Sequence, residues 1–244
     1  MSKITHLSVY VMEDPGAVAV QAAEIVCELC NAAIAKRGAF NLAISGGNTP
    51  RPLFRLLSQP EWENRLAWDK VNLYWVDERC VPPEHADSNY GVARRELLSF
   101  IPATKFYRMK GELPPQEGAE NYEELLNKNF GLTKGELPRF DCMILGMGTD
   151  GHVASLFPDI ADYIDTDLKV IDLYVPKLRQ SRITMTLPVI NNSRACIFLT
   201  SGREKHPVIS RALNLLTSPD LPAQRVRPTK GELIWILDEA AAQG

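Results

Sequence analysis

Apolar positions along this chain recur in two rhythms. Short apolar runs bounded by Gly, Pro or polar clusters occupy 7–12, 40–44, 71–76, 140–145, 168–175, 195–200 and 232–237. Runs of this length and bounding read as strands. Between them the apolar spacing turns helical. Val18, Ala22, Ile25, Leu29 and Ala33 form one stripe that starts after Asp14 and stops at Gly38, a residue suited to a C-terminal cap. Further helices are predicted over 51–57, 89–99, 116–129 (apolar side Ala119, Tyr122, Leu125 and Leu126) and 204–216. Strands alternating with helices imply parallel βαβ units, so the expected fold is α/β: one doubly wound, Rossmann-like domain over 1–244, its mostly parallel sheet covered by helices on both faces. The Pro-rich stretches "VPPEH" and "ELPPQEG" read as loops too short to separate domains.

Composition narrows the function classes. With 45% hydrophobic and 23% charged residues, the 244-residue chain has ordinary globular usage and no room for a long disordered tail. A formal charge of -3 provides no basic field for nucleic acid or an anionic membrane, so neither partner is expected. The N-terminal segment has too short an apolar run for a signal peptide, and no run approaches the roughly 18 apolar residues of a membrane span. A soluble, cytoplasmic protein is expected, its oligomeric state left open. The five cysteines, an odd count lying mostly in apolar runs, read as reduced core thiols. Cys27 and Cys30 form a CxxC, but in the middle of a helical pattern rather than at the helix N-terminus that redox chemistry uses.

The chemistry-bearing residues cluster at the carboxyl ends of predicted strands, the edge where open α/β sheets bind ligands. "SGGNTP" supplies Ser45, Gly46, Gly47, Asn48 and Thr49; "DER" supplies Asp77 and Arg79; "GMGTDGH" supplies Asp150, Gly151 and His152; "TSGREK" supplies Lys205. In the first, the glycine pair allows close backbone approach to an anion, with Thr49 as expected N-cap and Pro50 as first helical residue. It is not a P-loop, because GxxxxGK[ST] is absent. Lys205, in a helix's first turn, opposes the helix dipole and so points to an anion nearby. Arg79 and Arg182 are further candidate phosphate ligands, since arginine offers forked donors.

Gly146, Gly148 and Gly151 match the dinucleotide spacing GxGxxG, and Asp172 follows Gly151 at about the required 20 residues. Two features oppose that reading. Asp150 would place a carboxylate inside the pyrophosphate turn, and Pro158 would break the helix the fold needs, at a cost of roughly 3 kcal/mol or more. The stretch supplies instead Asp150 and His152 at a strand end, an imidazole with a free pKa of about 6.5 suited to general-base work. There is no GxSxG elbow, and Ser155 is expected to lie in a packed helical segment.

Taken in order and spacing, "SGGNTP", "VDERCVPPEHADSNYG", "GMGTDGHVASLFP" and "SGREK" resemble the 6-phosphogluconolactonase family, whose superfamily includes glucosamine-6-phosphate deaminase/isomerases. The resemblance covers essentially the whole chain. It implies a hydrolase that opens 6-phosphoglucono-δ-lactone to 6-phosphogluconate in the pentose phosphate route, a small-molecule sugar phosphate lactone as partner, and neither a redox cofactor nor a required metal. By the same resemblance His152 would deprotonate water, Asp150 and Asp77 would line the site with Asp150 setting the imidazole, and Ser45 to Thr49, Gly151, Arg79, Arg182 and Lys205 would hold phosphate or sugar. The roles of Glu78 and His85 stay open. The isomerase branch carries a glutamate five residues after the motif histidine, where this chain has Phe157. A non-catalytic sugar-phosphate sensor is the other alternative; with a first strand beginning by Leu7, no DNA-binding segment is expected ahead of the fold.

Overall fold

A computed structural model describes residues 6–102, 105–160, 166–214 and 220–243. The strands are β1 (His6–Met12), β2 (Phe40–Ile44), β3 (Val71–Trp75), β4 (Asp77–Arg79), β5 (Lys105–Tyr107), β6 (Cys142–Leu145), β7 (Val170–Val175), β8 (Gln180–Met185), β9 (Ala195–Thr200) and β10 (Glu232–Asp238). The main helices are α1 (Pro15–Arg37), α2 (Arg51–Leu57), α3 (Pro60–Glu63), α4 (Asn89–Ala93), α5 (Pro115–Phe130), α6 (Leu187–Asn191), α7 (His206–Leu213) and α8 (Glu239–Gln243).

Seven strands form one parallel sheet in the order β1-β10-β9-β6-β2-β3-β5. Its central strands are buried on both faces and accordingly read as unbroken apolar runs: "CMIL" in β6 and "ACIFLT" in β9. After β2 the chain builds outward through β3 and β5, then returns to the other side of β2 to add β6, β9 and β10. The connectivity reverses between β2 and β6, so the carboxyl ends of these strands flank a topological switch point. There the two strand ends are held together by the Ser45 amide donating to the Ile144 carbonyl at 3.0 Å.

α1 is capped as its sequence suggests. Asp14 accepts from the Ala17 amide at 2.8 Å, and Gly38 takes the left-handed conformation with φ 80°. By length and composition α1 could cross a bilayer. Its side carrying Val18, Ala22, Val26, Cys30 and Ala33 is instead buried in the protein core. Cys27 and Cys30 are free thiols inside this packed face, and burial pushes the Cys30 pKa up to about 12.

Three departures from the sequence reading follow from tertiary context. Of the segment expected at 168–175, Val170–Val175 form a strand, β7, but it joins β4 and β8 in a separate three-stranded antiparallel sheet rather than the parallel one. Its alternating burial is the mark of a half-exposed sheet. Thr49 does not cap a helix: α2 begins at Arg51 behind Pro50, without a side-chain cap. Ser155 is not helical either. Residues 146–157 form turns and isolated bridges, with Ala154 in the left-handed region at φ 53°. The helix expected over 204–216 begins with a 3-10 turn at Arg203–Lys205 and continues as α7; residues 215 and 216 lie outside the described residues.

Candidate active site

The carboxyl ends of β2, β3, β6 and β9 surround a cavity of about 530 Å³, which the small sheet closes on one side. Ser45, Gly46, Gly47, Asn48, Thr49, Asp77, Arg79, His152, Arg182 and Lys205 all line it. The predicted residues, scattered over some 160 positions from Ser45 to Lys205, therefore meet in one place. Asp150, expected to line the site, and Gly151, expected to hold substrate, stand just outside the residues that line the cavity. Asp150 stands behind the imidazole, and Gly151 supports the turn from below: its backbone is left-handed at φ 82°, and its carbonyl accepts from the Ala223 amide at 3.0 Å.

The turn that presents His152 is closed by the Gly148 amide donating to the His152 carbonyl at 2.9 Å and the Gly151 amide donating to the Gly148 carbonyl at 3.0 Å. A Cβ at position 148 would lie 2.0 Å from His152 Nδ1 and 2.6 Å from Asp150 Oδ1. Gly148 is thus glycine to make room for the imidazole and carboxylate, and Gly151 for its left-handed backbone, so these two glycines have local causes unrelated to a dinucleotide. Asp150 Oδ1 lies 2.5 Å from Nδ1 and accepts from the His152 amide at 3.2 Å, while Lys177 Nζ reaches Oδ2. Burial pushes the Asp150 carboxyl up, but the bonds from His152 and Lys177 outweigh it and leave the group below the usual carboxylate range. With Nδ1–H committed to Asp150, Nε2 is the ring nitrogen left with a lone pair. Phe157 packs against the ring with centroids 4.3 Å apart.

The cations form the second feature. β4 and β8 pair antiparallel with Arg79 directly opposite Arg182, a like-charge pairing that destabilises a sheet. Arg182 is only 7% exposed, its Nε has no hydrogen-bond partner, and neither arginine forms an ion pair among the described residues. Burial and the charge of Arg79 lower the Arg182 pKa. Lys205 completes the group. Its Nζ donates to the Met147 carbonyl at 2.8 Å, and burial lowers its pKa.

Asp77 is buried and accepts from Ser155 Oγ at 2.7 Å and from Asn89 Nδ2 at 3.2 Å. Asn89, which the sequence reading did not single out, lines the cavity, and a Cβ on Gly46 would fall 1.8 Å from its Oδ1. Its position after a helix-capping serine was the available signal. Met147, Phe157, Leu178, Ser201 and Glu204 also line the cavity. Glu78 faces away from it: burial pushes its carboxyl up, against hydrogen bonds from the amides of Tyr90, Asn89 and Arg79. His85 is half-exposed beside Asp87 and is not a lining residue.

A parallel α/β sheet with a cation-rich crevice at its switch point and an oriented imidazole is the arrangement of a small-molecule enzyme fold. Comparison with known proteins makes this specific: residues 13–235 match the family described as glucosamine-6-phosphate isomerases/6-phosphogluconolactonase, and the chain belongs to it. Among its relatives, the 6-phosphogluconolactonase of Synechocystis sp. is 38% identical over 218 residues, covering 86% of this chain and 87% of that one. The human 6-phosphogluconolactonase is 40% identical over 214 residues, covering 85% and 81%. The crystal structure of 6-phosphogluconolactonase from Thermotoga maritima superposes with a TM-score of 0.81 at 27% identity, covering 96% of this chain and 100% of that one.

Proposed function

We propose that this protein hydrolyses 6-phospho-D-glucono-1,5-lactone to 6-phospho-D-gluconate, with His152 as general base. The observation that carries the phosphate part is the opposed pair of a half-buried Arg79 and a buried Arg182 at one wall of the cavity, neither in an ion pair among the described residues. Two guanidinium groups facing each other become favourable when an anion sits between them, and forked donors suit a phosphate. Lys205 and the amides of the 45–49 turn supply further positive potential. Asp77 and the unpartnered Oδ1 of Asn89 offer acceptors for sugar hydroxyls, the Asn89 Nδ2 being engaged by Asp77.

In this reading His152 Nε2 takes a proton from a water molecule as its oxygen attacks the lactone carbonyl carbon. The tetrahedral oxyanion then collapses, the bond from that carbon to the ring oxygen breaks, and the imidazolium returns the proton to the ring oxygen. Asp150 stabilises the imidazolium in between. A strained ester asks for little more than an activated water and a fixed orientation, so no nucleophilic serine is required. Ser155 is occupied in its bond to Asp77. Phe157 stands where the isomerase branch carries its acid, and an apolar ring packed on the histidine cannot donate a proton for sugar-ring opening. The described cysteines are free, in keeping with a reducing compartment, and the cytoplasm is the location this reading takes.

The test is to follow acid release from freshly generated 6-phosphogluconolactone, above its spontaneous opening, with the parent protein and with His152→Ala. General-base removal lowers kcat by about 10²–10⁴-fold. A His152→Ala protein that keeps the parent rate overturns the role of the imidazole, and appreciable ammonia release from glucosamine 6-phosphate by the parent overturns the choice of reaction.

A further inference from the structure

Outside the cavity, one cation sits where no substrate contact explains it. Lys177 lies in the hairpin turn between β7 and β8, where Val175 pairs with Gln180 and the intervening residues run from Pro176 to an Arg179 in left-handed backbone at φ 48°. It is not a cavity-lining residue, although its neighbour Leu178 is. Its Nζ takes the Asp150 oxygen that the imidazole leaves free, and it also sits over the face of Phe157, 4.6 Å from the ring centroid. Both supports of the His152 ring, the carboxylate at Nδ1 and the aromatic face beneath, are therefore held by one side chain from another sheet.

We infer that Lys177 is a positioning residue for His152: by clamping Asp150 Oδ2 and Phe157 together it fixes the carboxylate's rotation, and with it the direction in which Nε2 points. The inference rests on the general-base reading above. It has two consequences. Without the clamp the carboxylate is held through Oδ1 alone and the imidazole loses its single orientation, a misplacement that costs rate rather than binding. The ammonium also offsets part of the Asp150 charge felt by the ring, so its removal favours the imidazolium and keeps the base protonated to higher pH. The other charges around the ring are Lys205 and Glu204 from the segment after β9, and Asp77, Arg79 and Arg182 from the small sheet and its approach; none of them contacts Asp150 Oδ2.

The test uses Lys177→Met, which keeps an apolar stem over Phe157, and Lys177→Arg, which keeps the charge as well. The Lys177 side chain is 43% exposed, so both variants fold. Lys177→Met lowers kcat about tenfold with KM near the parent value. It also moves the acidic limb of the pH-rate profile upward by about half a pH unit, the effect of one charge acting over a few ångströms through water-like screening. Lys177→Arg restores both. The ring-nitrogen NMR titration of His152 in the folded, substrate-free protein moves in the same direction in Lys177→Met, and this readout needs no activity. Parent kcat, parent acidic limb and an unmoved imidazole titration in Lys177→Met overturn the inference, as does equal impairment of both variants with no shift in either profile. If His152→Ala retained the parent rate, the catalytic reading would fall, while the NMR titration would still decide whether Lys177 sets the imidazole.

Discussion

The two ends of the parallel sheet treat their charges in opposite ways. At the amino end, the buried carboxylate of Asp141 ahead of β6 accepts from the Asn41 amide at 2.8 Å and meets Arg37 at 2.7 Å and Arg194 at 3.2 Å. At the carboxyl end, Arg79 and Arg182 face each other and a cavity, while Ser45 Oγ and Asn89 Oδ1 are buried without partners. The first arrangement balances its carboxylate with two cations, although Arg194 Nε makes no hydrogen bond; the second balances its charge only when an anion enters. A protein tolerates such a local debt of interactions where function requires it, and the amino end shows that the same chain can pair its charges elsewhere.

Substitutions at the two ends should therefore separate stability from activity. His152→Ala lowers kcat by about 10²–10⁴-fold and leaves the melting curve in place. Asp141→Ala does the reverse: it strands two arginines and an amide, and urea titration shows a loss of about 3 kcal/mol, the low end for a broken buried pair because the arginines stay partly exposed, with parent kcat/KM per folded molecule. Arg182→Met lowers kcat/KM by the roughly 1.5–3 kcal/mol of a charge-assisted bond, about 10- to 100-fold, while its melting temperature equals or exceeds the parent's because a buried repulsion is gone. A fall in melting temperature would show that Arg182 is structurally paired after all.

Tyr122→Phe sharpens the boundary between the two behaviours. The Tyr122 hydroxyl from α5 donates to the Trp75 carbonyl and accepts from the Trp75 amide, both at 3.0 Å, where β3 leaves the sheet toward Asp77. Its loss costs about 1–3 kcal/mol of stability, read by urea titration, and raises KM only as far as Asp77 shifts. The smallest effect concerns acid. Hydrogen bonds from Arg55 and then Arg51, against burial, hold the Glu96 pKa at about 2 instead of 4.5. A depressed folded-state pKa contributes stability above the ordinary carboxylate range that is lost as pH falls toward the folded value. Melting temperatures measured from pH 5 down to 3 should fall more steeply in the parent than in Glu96→Gln.

Much of this is legible in the amino-acid sequence. Central strands such as β6 and β9 announce themselves because burial on both faces demands unbroken apolar runs, and Gly38 marks the end of α1 because its left-handed backbone suits glycine. The strand-end motifs were legible because ligand-binding chemistry breaks the apolar pattern at fixed places. The small sheet was not. β4 spans only Asp77–Arg79, whose polar sequence reads as a loop, and β8 carries Arg182 because its function overrides strand composition. β5 is equally short. The helix expected around Ser155 yields to tertiary bonds, with the Ser155 amide drawn to Thr184 Oγ1 and its hydroxyl to Asp77. Lys177 gave no local signal, since its partners Asp150 and Phe157 become neighbours only when the hairpin folds over the His152 turn.

In the proposed reaction Arg79 and Arg182, which form no ion pair among the described residues, hold the phosphate while His152 works at the far end of the same ligand. This division of roles is tested most directly by the ratio of kcat/KM for 6-phosphogluconolactone to that for unphosphorylated gluconolactone, in the parent and in Arg182→Met. A large ratio is expected in the parent, collapsing about 10- to 100-fold in the variant through the phosphorylated substrate alone. An unchanged ratio, or an equal loss on both lactones, would contradict it.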